Sequence, residues 1–134
     1  MKNIKQFYKE LGKLVYALAI ADGVIQDEEK TELTSFVVKE LAHHETEYDT
    51  SGMNKAFYVD FEFEKSLEEH LDYNKAIASY KSFVGRNFEE GDEVLLNRAI
   101  ILLTKVKEAY TKQKENNILA IVQQQLNDLK YITQ

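Results

Sequence analysis

The chain of 134 residues has no cysteine, no proline and no tryptophan, and only five glycines. The missing cysteines remove disulfides, thiolate metal centres and cysteine nucleophiles together. They are compatible with a reducing cytoplasm, which is the location we expect. Without proline, and with so little glycine, helices can run long and loops must be few. A stripe of Lys and Arg with interleaved aromatics is also missing, and the net charge of −6 repels phosphate backbones and anionic lipid, so nucleic acid is not an expected partner. The longest apolar run, LVYALAIA from Leu14 to Ala21, is too short to span a bilayer. Its apolar spacing begins earlier, at Ile4, Phe7, Tyr8, Leu11, Leu14, Val15 and Leu18, which is the pattern of a folded amphipathic helix and not of a secretory signal.

Catalytic signatures are lacking as well. There is no G-x-S-x-G elbow, no phosphate loop and no dinucleotide fingerprint. The acids of EFEKSLEE could offer paired carboxylates, but such pairs are common on solvated helices. We therefore expect a protein that acts without catalysis.

What is present reads as helix. At this length one domain, residues 1–134, can bury a core without covalent staples. The periodicity predicts helices over about Asn3 to Ala21 and Asp27 to Ala42, joined as a hairpin, the second with Leu33, Phe36, Val37 and Leu41 inward. HHETEYDTSGMN, His43 to Asn54, reads as a surface loop. Further helices are expected over Tyr73 to Gly85, with Ile77, Tyr80 and Val84 inward, and over Val94 to Tyr110. The latter carries Leu95, Ala99, Leu102, Val106 and Ala109 on one side and Ile100, Ile101 and Leu103 beside them, as a central, mostly surrounded helix would. The apolar phase fails at Gln113 to Asn116 and resumes at Ile118, Val122, Leu126 and Leu129, which makes a closing helix. FYVDFEFE, Phe57 to Glu64, fits two periods. Phe57, Val59, Phe61 and Phe63 alternate as in a strand, whereas Ala56, Val59, Phe63 and Leu67 share a helical face. A lone strand would leave its backbone groups unpaired, so the helix is favoured. The expected class is all-α, a bundle of about five to seven helices.

Charge and spacing single out two regions. Between Glu45 and Asp72 lie nine acids and two lysines, a local −7, leaving +1 for the rest of the chain. A partner protein with a basic surface is suited to that stretch, with Asp60, Glu62, Glu64 and Glu68 as the candidate contacts. The second region is IADGVIQDEE, Ile20 to Glu29. Gly23, Ile25 and Glu29 have the spacing of the second half of an EF-hand loop, but Leu18 and Ile20 stand where oxygen ligands are needed, so a standard calcium site is excluded. Gly23 can close the first helix, Asp27 can cap the second, and Glu28 and Glu29 oppose its dipole. Asp22 is not explained in this way, because an anion near a helix C-terminus faces a negative dipole end. Capping and cation binding both stay open. The candidate metal ligands are Asp22, Glu28 and Glu29 for a divalent ion, with a further oxygen from Glu89, Glu90, Asp92 or Glu93. His43, His44, Glu45 and Glu47 form a weaker candidate for zinc, since adjacent histidines at a helix end diverge. His70, among Glu68, Glu69 and Asp72, is expected on a solvated face.

The string ALAIADGVIQDEEKTEL, Ala17 to Leu33, resembles the TerB-like family, named for tellurite resistance and related to the N-terminal region of a membrane-anchored DnaJ-like co-chaperone. The likeness rests on Ala21, Asp22, Gly23, Ile25 and Glu29, set against the family pattern Ala-Asp-Gly-x-hydrophobic-x-x-x-Glu, and it covers about the first third of the chain. It implies an all-helical bundle with acidic residues that bind divalent metal, and a role in stress response or complex assembly. Two functions follow as expectations: a divalent-metal-binding stress protein, or an adaptor that docks a partner on its acidic, aromatic face.

Overall fold

A computed structural model describes residues 1–20, 27–110 and 118–133. Within them the chain is all-α: α1 (Ile4–Ile20), α2 (Asp27–Val37), α3 (Tyr58–Glu69), α4 (Tyr73–Asn87), α5 (Glu93–Tyr110) and α6 (Ile118–Thr133). A π-helical turn, Val38–Ala42, extends α2, and a 3₁₀ turn, Lys55–Phe57, leads into α3. Among the described residues no helix is long and apolar enough to cross a membrane.

Local chemistry sets many of the boundaries. The Asn3 side chain accepts the Gln6 amide at 3.0 Å, satisfying a donor that the first turn of α1 leaves unpaired. Asp72 does the same for α4, accepting from Lys75 N at 3.1 Å. Asp27, Glu28 and Glu29 place three acids in the first turn of α2, where the macrodipole favours them. FYVDFEFE is helical. Ala56, Val59 and Phe63 are buried on one face with Ser66, while Phe61, which a strand would have grouped with them, is exposed.

The central helix is α1, which corrects the expectation that Val94 to Tyr110 would be the surrounded one. Every residue of α1 from Leu14 to Ala19 is buried, and the helix packs most extensively on α3, then on α4 and α5. In α5, Leu95, Leu96, Ala99, Leu102, Leu103 and Val106 are buried and the helix packs on α1, α2 and α6, but Val94 and Ile101 face solvent, so one stripe of it stays open. The unbroken LVYALAIA run carried the signal, since a helix apolar on all sides must be covered on all sides. The expected hairpin of the first two helices is also revised: α2 packs chiefly against α5 and α3.

Two features of α1 govern how its neighbours approach. At Gly12 the backbone of α3 comes so close that a Cβ would lie 2.6 Å from the Val59 carbonyl oxygen and 2.9 Å from Glu62 Cβ. On the flank facing α4, the carboxylate of Glu10 is buried and accepts hydrogen bonds from Ser79 Oγ (2.6 Å), Gln6 Nε2 (3.0 Å) and Lys13 Nζ (3.2 Å).

Candidate functional site

The expected loop after α2 is a bonded unit. Asp49 accepts Ser51 N, Ser51 Oγ, Met53 N and the Tyr58 hydroxyl, and these bonds, led by that from Ser51 Oγ, hold its carboxyl down to about 2. Asn54 donates to the carbonyls of Ala42 and Glu45 and accepts from Ala56 N, tying the end of α2 to the start of α3. Glu45 accepts from the buried Tyr8 hydroxyl, whose ionisation is pushed up first by burial and then by this carboxylate. Glu47 pairs with Lys55 at 2.9 Å. The acids of the His43 to Glu47 cluster therefore hold the loop in place.

Because Asn54 joins these two ends, α2 and α3 run side by side in opposite directions. Going from that tie toward the other end of the seam, Thr34 and Asp60 line the same groove, the Thr34 hydroxyl donating to the Lys30 carbonyl at 3.3 Å, and Lys30 Nζ reaches Glu64 at 3.9 Å. Between these helices lies a groove of about 270 Å³, lined by Lys30, Thr31, Thr34, Asp60, Phe61 and Glu64 over a floor of Leu33 and Phe63. Phe61 is 55% exposed on its rim and stacks edge-on to Tyr58, 5.9 Å between ring centroids. The Tyr58 ring in turn lies under the Lys5 and Lys9 ammoniums of α1.

Asp60 is the unusual group of this groove. Its Oδ1 is buried and has no hydrogen-bond partner among the described residues. Burial pushes its carboxyl up to about 6; the polar Thr34 hydroxyl nearby opposes that shift and the Glu64 charge adds to it. A carboxyl that holds its proton more tightly folded than unfolded gains stability below about pH 4 and loses it as pH rises through about 6. Asp60→Asn should therefore be more stable than the parent at pH 7.5, by about 1–2 kcal/mol once partial solvation is allowed for. The advantage should vanish near pH 4. Urea denaturation of both proteins at the two pH values tests this, and a difference that does not change with pH would refute it.

The structure sorts the candidate residues. Asp60 and Glu64 line the groove; Glu62, two residues along the helix, lies against α1 at Gly12; and Glu68 is exposed outside the groove lining. Glu28 is exposed in the first turn of α2, with Glu29 half-buried beside it. Asp22, Gly23 and Ile25 lie outside the described residues. Among the described residues no three His, Asp or Glu side chains converge as metal ligands. Of the suggested additional donors, Asp92 binds the Met1 amine at 2.7 Å and caps the turn at Glu89 N, Glu89 also reaches that amine, and Glu93 accepts from Gly91 N.

Sequence reasoning missed Glu10, although its place three residues after Phe7 and four before Leu14 put it beside the apolar stripe. It also missed that Thr34 and Asp60 line one groove. No spacing could have shown that proximity, which spans two helices. No family model, no curated protein and no solved structure matches the chain.

Proposed function

We propose that this protein is a non-catalytic docking module that receives a basic segment of a protein partner in the groove between α2 and α3. The observation that carries the reading is the half-buried Asp60, with an unpaired oxygen, beside Glu64 and the exposed Phe61 ring. A guanidinium or ammonium bound there would offset the cost of holding Asp60 ionised, and an aromatic face suits the same cations. The local −7 of the Glu45 to Asp72 stretch would speed the approach of such a partner. The resemblance to the TerB-like family is compatible with this reading, complex assembly being one of the two roles it implies beside stress response; its metal-binding side rests on the turn around Asp22.

The test is affinity capture with the parent, the Asp60→Lys/Glu64→Lys variant and a Glu68→Lys control. The parent and the control should retain the same basic proteins, released as salt rises, and the double variant should lose them. Retention by the double variant would overturn the proposal.

A further inference from the structure

The seam between α2 and α3 extends past the acidic groove. The Lys30 to Glu64 pair, the Thr34 and Asp60 side chains that share the groove lining, and the Ala42 to Asn54 bond rise by about four to eight residues on α2 as they fall by four to six on the α3 side. They are the successive rungs of one antiparallel seam. Beyond the Thr34 rung a second cavity, about 420 Å³, is walled by Val38 and Ala42 on one side, by Met53 and Phe57 on the other, and by Tyr48 from the loop. Val38 is 44% and Tyr48 58% exposed. Of the five large apolar side chains left most exposed among the described residues, these two and Phe61 all lie on this seam. Bare apolar area concentrated on one line marks a contact surface.

Resting on the docking reading above, we infer that the seam takes an amphipathic helix of about three turns, with Lys or Arg over Asp60 and Glu64 and apolar side chains over Val38, Tyr48 and Phe57. Length sets the number of turns: twelve residues separate Lys30 from Ala42, roughly 18 Å at 1.5 Å per residue. Backbone chemistry sets the conformation. Along the acidic half of the seam both walls are helices, α2 and α3, whose amides and carbonyls bond within themselves, and the one bridge beside the apolar half, Tyr48 to Asn54, is a single pair, so an extended segment would find no strand edge running along the seam, whereas a helix satisfies its own backbone and offers side chains alone. Charge sets the occupant. A second copy of this chain, at −6, would bring like charge to an acidic seam, while a basic helix complements it.

The probe is a displayed library of twelve-residue peptides selected on the full chain. Recovered sequences should carry Lys or Arg one to two turns from apolar residues spaced i, i+3 or i, i+4. Their affinity should fall about tenfold or more with Val38→Asp or Tyr48→Ser in the protein, with Glu64→Lys, and with a central proline in the peptide. Val38, Tyr48 and Glu64 are exposed, and an unchanged circular dichroism spectrum would show that each variant folds. Peptides weakened by Glu64→Lys but indifferent to Val38→Asp, Tyr48→Ser and the proline would overturn the helix inference and leave the basic docking reading standing. Peptides indifferent to Glu64→Lys would overturn both.

Discussion

Gly12→Ala is expected to destabilise the protein by about 2–4 kcal/mol, lowering the melting temperature by roughly 10 °C. The sign runs against helix propensity, which favours alanine over glycine by about 1 kcal/mol inside a helix. Packing decides it. The added methyl would sit 2.6 Å from the Val59 carbonyl oxygen and 3.3 Å from Phe63 N. Both are backbone atoms, so no rotamer change can relieve the clash, and α3 would have to move off α1 along the most extensive interface between the described helices. Gly85→Ala is the control. Gly85 is also within a helix, but the nearest atom to its added methyl is Gln125 Nε2 at 4.0 Å, so this variant should be neutral or up to about 1 kcal/mol more stable. Thermal melts of the two variants decide the matter: a Gly12→Ala protein that melts with the parent would show that α1 and α3 do not approach this closely.

Glu10→Ala should cost about 2–4 kcal/mol. Glu10 is 4% exposed, and its carboxylate accepts three hydrogen bonds, one from the Lys13 ammonium. Truncation leaves Lys13 with only the Ser79 hydroxyl, at 3.3 Å, and removing one member of a buried pair costs more than the pair itself contributes. Lys13 keeps some access to solvent and can turn toward water, which holds the effect below the upper end seen for fully buried pairs. The double change Glu10→Leu/Lys13→Leu should recover most of the loss, because it removes both charges and leaves an apolar contact against α4. Urea denaturation of the single and double variants measures both effects. A double variant as unstable as the single would mean that the network contributes through its own bonds and not through avoiding a stranded charge.

How much of this was legible beforehand differs from residue to residue. Apolar spacing located α3 within an ambiguous segment, because Val59 and Phe63 agreed with Ala56 on a helical face and a strand had nothing to pair with. It likewise located the return to helix at Ile118, where Ile118, Val122 and Leu126 are all buried. The same spacing misjudged which helix is central, since α1 and α5 both carry wide apolar faces and only their neighbours differ. For the candidate site, the excess of acid from Glu45 to Asp72 was visible as composition, and Asp60 and Glu64 were among the residues it named. Composition could not separate them from Glu62 and Glu68, which differ in what packs against them.

By itself the sequence determined that the chain is helical, which face of most helices turns inward and where the negative charge is concentrated. These are properties of single segments, set by periodicities of a few residues and by local capping bonds. Only the tertiary structure decided that α3 presses on α1 at Gly12, that Glu10 is enclosed by α4 and that Asp60 stands half-buried opposite Thr34. Each of these depends on contacts between residues far apart in the chain, and the desolvation that sets Asp60 apart comes from the helix packed beside it, which no spacing within its own helix encodes.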